Sequence, residues 1–384
     1  MERLCKFFCK KNRGSSFGPL YWVVGMIILG LAEDQPVVAR RLIVFFRNSQ
    51  NQYVNYRLVD RMLRHRIYSR RMARFAERVL AGRDEINANF RACDLYVQNY
   101  GYHSPGIIRA AEKLQRPSVW RALTRSQKAR LAVVLFKLGR HEANARELAR
   151  EAGLAAIERG FGSVYLCHKV AAMPEFNSPY VEISAAMYEN SQRAQSEFER
   201  RIREAKGDFC VVGNGSSEAG TKNGRRIDGF SCVIRINNYS LDFSEDYGTK
   251  HDIWVRVANK EVISRSANDH EMVVIAANNF EFRRKDAYEY MLSAYLANQP
   301  LAVIPPFVYL ELNKMLRGLP STGMAILYWI FLIQGPISRA NIFGFTHLTA
   351  DNVFSRHYFQ DSGSGVEHRH EWKAERRLLN AITH

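Results

Sequence analysis

From residue 208 onward the chain alternates short apolar runs with amphipathic stretches, and this alternation restricts it to a layered α/β fold. Segments 208–212, 231–236, 252–255, 272–275, 302–304 and 340–344 read as strands. Stretches 286–298, 308–317 and 322–334 carry helical periodicity and separate several of them. Runs such as Val211-Val212, Val233-Ile234 and Val273-Val274-Ile275 show no polar alternation. Strands of that kind are covered on both faces, so a largely parallel sheet is expected. In such sheets ligands bind beyond the carboxyl ends of the strands.

The first 203 residues are different. Their hydrophobic periodicity is helical. Segments 20–47 and 129–151 each resemble a helical hairpin with small residues at the crossing, although no steady repeat period links them. Charge divides at the same place. Residues 1–203 hold 35 Lys+Arg against 18 Asp+Glu, whereas residues 204–384 hold 20 of each. The expected organisation is therefore a basic helical region over 1–203, serving membrane or acceptor association, and a small-molecule domain over 204–384. The stretch from Arg57 to Arg83 is rich in arginine and is interrupted by only two acids, Asp60 and Glu77. Leu58, Val59, Met62, Leu63, Ile67, Met72 and Phe75 interleave with it, which suits either a solvated surface helix or a helix lying on anionic lipid. With no aromatic ladder or reader motif, a nucleic-acid partner is not expected.

With 47% hydrophobic and 24% charged residues the chain has enough apolar material for a core, which excludes a disordered protein. The apolar run from Phe17 to Leu31 is 15 residues long, and it contains Pro19 and three glycines. A bilayer core asks for about 20 residues, so a buried or interfacial helix is expected rather than a membrane span. The six cysteines, at 5, 9, 93, 167, 210 and 232, form no CxxC pair and no disulfide framework. Free thiols in a reducing compartment are expected.

Three segments carry chemistry. In Val211-Val212-Gly213-Asn214-Gly215-Ser216-Ser217-Glu218, a strand feeds a glycine-rich turn whose backbone N–H groups can approach a phosphate. Glu218 stands where the dinucleotide fingerprint needs glycine, and Thr221-Lys222 reverses the order the P-loop needs, so both patterns fail. In Pro320-Ser321-Thr322-Gly323-Met324, Ser and Thr precede an apolar helix and Gly323 leaves its N-terminus open. The tail carries His357-Tyr358-Phe359 and His370-Glu371-Trp372-Lys373-Ala374-Glu375; Ala374 rules out HExxH. His368 and His370 with His347 or His357 offer a metal site, but histidine suits a general base better because its pKa lies near working pH.

Taken together these segments resemble the animal-type sialyltransferases, glycosyltransferase family 29. Val211-Val212-Gly213-Asn214, Gly224-x-x-Ile227-Asp228, Val233-Ile234-Arg235-Ile236-Asn237 and Asp246-Tyr247-Gly248-Thr249-Lys250 resemble the large sialylmotif. Pro320 to Met324, ending in Ile342-Phe343-Gly344-Phe345, resembles the small motif; His357-Tyr358-Phe359 the third; His370 with Glu375 the very small one. Two departures stand out. The family's secreted-pathway members pair a cysteine in the large motif with one in the small motif, and here Phe209 and Gly335 occupy those places, with Cys210 at an alanine position. Residues 1–200 show no clear counterpart in the family's motifs.

The resemblance implies a Rossmann-like, mostly parallel sheet of the GT-A-variant type, preceded by an all-helical basic region. It also implies an inverting, metal-independent transfer of sialic acid from CMP-sialic acid to a glycan or glycolipid hydroxyl, with no cofactor. His370 would take the acceptor proton and His357 would steady the departing phosphate. Asn214 and Asn237 would hold the nucleotide, with Gly215, Ser216 and Ser217 beside the phosphate. Ser321, Thr322, Gly323 and Tyr358 would complete the donor site, while Glu375 would orient the last helix. Another CMP-ulosonic acid such as CMP-Kdo fits the same motifs. An inactive membrane-associated scaffold is the alternative of another class. The missing cysteine pair favours the cytoplasmic face of an inner membrane over a Golgi type II protein.

Overall fold

The structure is a computed structural model that describes residues 55, 56, 59, 63, 70–81, 83–100, 104–159, 164–257, 265, 269–276, 285–316, 320–345 and 372–384. Two compact units divide between Trp120 and Arg121. The structural boundary therefore falls well before the charge boundary at 203.

In the first unit, α1 (Arg70–Ala81), α2 (Ile86–Tyr100) and α3 (Pro105–Leu114) form successive helices. Gly106 lets α3 lie against Tyr96 of α2: a Cβ there would meet the ring at 2.2 Å. Phe75 and Leu80 of α1 are buried, as are Val59 and Leu63. The apolar residues described in the arginine-rich stretch thus face the interior.

The second unit begins with α4 (Arg125–Leu138) and α5 (Glu142–Ala152), the helical hairpin expected over 129–151. Thr124 and Gln127 form a capping box at the start of α4, and Gly139 at φ 64° ends it. Ala129, Ala132, Ala145 and Ala149 are fully buried, so small side chains do let the two helices approach closely. The other expected hairpin, over 20–47, lies outside the described residues, as does the run from Phe17 to Leu31. Two more helices follow, α6 (Val164–Val170) and the 27-residue α7 (Pro179–Ala205). Ser178 caps α7 by accepting the Val181 N–H at 3.3 Å. Lys206 and Gly207, both at positive φ, end the helix and turn the chain into the sheet.

The sheet contains β1 (Phe209–Val212), β2 (Cys232–Ile236), β3 (Ile253–Arg256), β4 (Met272–Ile275), β5 (Leu301–Val303) and β6 (Ile342–Phe343). Their order is β5-β4-β3-β2-β1-β6, and every pairing is parallel. Each of the six expected strands is present. α8 (Gly224–Asp228), α9 (Lys285–Leu296), α10 (Pro306–Leu316), α11 (Thr322–Gln334) and α12 (Trp372–Ile382) cover the sheet or cross between strands. α7 packs on β5 and on α11, where Phe198 stacks on Trp329 at 4.3 Å. Strands β1, β3 and β4 are buried along their whole length, which is why their sequences show no polar alternation. From β1 the chain runs outward on one side through β2 to β5, then returns to place β6 on β1's other side. The switch point of the sheet is therefore the crevice beyond β1 and β6.

Candidate active site

Backbone hydrogen bonds draw the loops after β1 and β6 together. Gly213 N–H donates to the Phe343 carbonyl at 2.8 Å, and Gly215 N–H to the Gly344 carbonyl at 2.7 Å. A Cβ on Gly213 would lie 2.6 Å from the Gly344 oxygen, and one on Gly344 would lie 2.3 Å from the Gly213 oxygen. Only glycine permits this approach. Glu218, the residue that broke the dinucleotide fingerprint, locks it. Its carboxylate accepts the Gly344 N–H at 3.1 Å, the Ser217 hydroxyl at 2.8 Å and the Asn223 amide at 2.9 Å.

Phe345 continues from β6 and its ring fills the space between two glycines. A Cβ on Gly323, in the first turn of α11, would meet the ring at 2.6 Å; one on Gly213 would meet it at 2.9 Å. The turn after β1, the end of β6 and the start of α11 are thus pressed into one patch at the switch point.

Two asparagines connect this patch to β2 and β3. The Asn214 amide donates to the Ile236 carbonyl at 2.9 Å, while its Oδ1 is buried with no hydrogen-bond partner among the described residues. Asn237 follows directly and sits at φ 49°, a left-handed conformation that asparagine tolerates. Its Oδ1 accepts the Val257 N–H at 3.1 Å, and its Nδ2 reaches Thr322 Oγ1 at 3.4 Å. The Trp254 indole donates to its carbonyl at 2.7 Å. Asn214, Asn237, Thr322 and Gly323 are therefore brought to one place.

Ser321 has a different position from the one expected of a free donor. Its hydroxyl accepts the Met324 N–H at 3.1 Å and donates to Glu375 at 2.6 Å, and its own N–H donates to the other Glu375 oxygen at 2.7 Å. Glu375 is fully buried. The carboxylate ties α12 to the start of α11, which is the orienting role the sequence implied. Ser217 is similarly engaged with Glu218.

The remainder of the large motif is a brace. Asp228 accepts the N–H groups of Thr249 and Lys250, each at 2.8 Å, and Gly248 at φ 67° makes room for it. Asp246 accepts from Gly220 N–H at 2.7 Å and Lys222 N–H at 2.9 Å, and these bonds hold its carboxyl below the usual range. Arg235 is fully buried and donates to the carbonyls of Lys250 and Tyr247, both at 2.8 Å, while the Tyr247 hydroxyl donates to the Gly215 carbonyl at 2.9 Å. Sequence reading alone missed Glu218, Tyr247 and Phe345. An acid within a glycine turn was the available signal for the first. Nothing local marked the other two.

Phe209 and Cys210 are buried in β1, and burial pushes the Cys210 thiol up. Among the described residues Cys167, Cys210 and Cys232 form no disulfide. His357, Tyr358 and His370 lie outside the described residues, as do His347 and His368. Among the described residues no group of His, Cys, Asp or Glu is arranged to hold a metal ion, and no helix is long and apolar enough to cross a membrane.

The family model for glycosyltransferase family 29 (sialyltransferase) matches residues 169–384. That is more than half the chain, and it includes the whole sheet and both ends of the crevice. The chain belongs to this family and is a glycosyltransferase. It is also similar to two solved structures, a mammalian sialyltransferase and a mammalian sialyltransferase bound to Gal-β-1,3-GalNAc-ortho-nitrophenol. Identity is 17% and 16%, with TM-scores of 0.33 and 0.34, covering 51% of this chain and 82% of each of theirs. No curated protein matches.

Proposed function

We propose that the enzyme transfers a sialic acid from its CMP-activated form to a glycan or glycolipid hydroxyl, with inversion and without a metal. The observation that supports this reading most is the patch at the switch point, where Asn214, Asn237 and Thr322 meet beside glycine backbone. The buried Asn214 Oδ1 is an acceptor waiting for a donor, and the nucleotide's amino and hydroxyl groups supply donors of that kind. Thr322 receives the Asn237 amide, which leaves its hydroxyl proton for the sugar carboxylate or the cytidine. The N-terminus of α11 adds its dipole toward the same negative charge.

In the reaction the acceptor oxygen bonds to the anomeric carbon as the bond to the CMP phosphate breaks, and CMP leaves with the electron pair. His370 takes the acceptor's proton and His357 steadies the charge that develops on the phosphate. Tyr358 assists in donor binding, and Gly215, Ser216 and Ser217 lie on the phosphate side. The partners are a CMP-sugar and a glycan; an anionic membrane surface is met through the arginines between Arg57 and Arg83. Residence on the cytoplasmic face of the membrane accords with the free thiols.

The test is to offer purified protein a panel of CMP-sugars and measure donor hydrolysis. Preferential release of CMP from CMP-sialic acid is expected. Preference for CMP-Kdo would replace the donor, and CMP binding without turnover on any sugar or acceptor would make the chain an inactive scaffold.

A further inference from the structure

Lys137 lies in the last turn of α4, and Tyr165 in the first turn of α6. The Lys137 ammonium sits 3.7 Å from the centre of the Tyr165 ring, and Lys169, four residues further along α6, brings its own to 5.7 Å from the same centre. Two nitrogens that close to one point can be no further apart than both distances together, which is within about one Debye length at 0.1 M salt. One cation on an aromatic face is attracted by the ring. A second meets the repulsion of the first. Burial, and after it the Lys169 charge, push the Lys137 ammonium down to about 8.

The nearby acids Glu142 and Glu189 have other partners. Glu142 accepts from Arg146 at 2.9 Å and feels Lys169 only as a lesser influence, while Glu189 lies 3.4 Å from the His168 ring. The arrangement keeps two like charges together, one half-buried and one exposed, and among the described residues no carboxylate forms an ion pair with either.

We propose that Lys137 and Lys169, set against the Tyr165 ring, bind a phosphate monoester. Such a group carries close to two negative charges at neutral pH and so matches both ammonium groups, where a carboxylate offers one. Lysine ammonium groups bind phosphate as point charges, with no need for the planar fork of arginine. The phosphate belongs either to a lipid headgroup or to a small free molecule.

The full chain is acylated at lysine over pH about 7 to about 10, and modification of Lys137 is read by mass spectrometry. It is compared in inorganic phosphate, in sodium chloride of matched ionic strength, and with phosphatidylcholine vesicles with or without phosphatidic acid. A bound dianion favours the protonated amine, so phosphate raises the midpoint by about one unit and lowers labelling at pH about 8 roughly fivefold. Protection by phosphatidic acid vesicles at a phosphate content where the free ion is ineffective identifies a lipid headgroup. Equal protection at equal phosphate identifies a soluble ligand. Lys169→Met raises the midpoint by itself, because the repulsion is gone, and abolishes the response to phosphate. A wild-type midpoint unmoved by phosphate and by vesicles, or moved equally by sodium chloride, overturns the proposal.

Discussion

The Glu375 carboxylate accepts the Ser321 N–H at 2.7 Å and the Ser321 hydroxyl at 2.6 Å, so one buried acid in the last helix holds the first turn of α11 in place. Glu375→Ala leaves both donors unsatisfied and is expected to lower stability by about 3 kcal/mol, each charged hydrogen bond contributing about 1.5–3 kcal/mol. Urea denaturation measures this. Glu375→Gln keeps an acceptor for one of the two donors and should lose less. If both variants unfold at the wild-type midpoint, the bond pair has no such role.

Gly213 and Gly323 allow close contact at the switch point. Alanine at 323 would bring a methyl to 2.6 Å from the Phe345 ring, and alanine at 213 would bring one to 2.6 Å from the Gly344 oxygen. Contacts that short force movement. Both variants are expected to weaken CMP binding tenfold or more by calorimetry. Gly153→Ala, in open space at φ 77°, should strain only its own turn and leave CMP binding unchanged.

His370→Ala is expected to lower transfer by about 10²–10⁴ while CMP still binds. His357→Ala should slow transfer severely as well. Activity should persist in excess EDTA. Loss in EDTA that zinc restores would make the tail histidines metal ligands instead.

His270 gives the fold an acid limit. It stacks on Trp254 at 5.1 Å and its Nε2 lies 2.7 Å from the Tyr239 hydroxyl. Burial, with lesser contributions from His251 and Arg265, pushes it from 6.5 down to about 4. The unfolded chain therefore binds this proton more readily than the folded one. Stability is unaffected above pH 6.5, falls between pH 6.5 and about 4, and levels off below, for a total of about 3 kcal/mol. Denaturation midpoints over that window measure it. His270→Gln should flatten that part of the profile; an unchanged slope would assign it to other groups.

If the arginines between Arg57 and Arg83 meet anionic lipid, the protein floats with vesicles containing phosphatidylserine and is released by salt. Association that survives alkaline carbonate would instead indicate a span between Phe17 and Leu31.

The strands were legible in the sequence because a parallel sheet buries both faces, and Val, Ile and Cys in unbroken runs have little other use. The capped start of α11 and the hairpin at 129–151 were legible for similar local reasons: a side-chain cap and a set of buried alanines act within a few residues of themselves. The role of Glu218 was not. Locally it only spoils a fingerprint, and its purpose appears when Gly344, 126 positions away, presents an N–H to it. Ser321 shows the same limit, since the sequence marks a hydroxyl at a helix start without marking the acid that engages it. Hydrophobic periodicity and capping depend on neighbours along the chain and so determined the sheet, the helices and the glycine turns. Which polar groups are already satisfied, and that Asn214 Oδ1 at the crevice has no partner among the described residues, depends on residues brought together from far apart, and only the tertiary structure decided that.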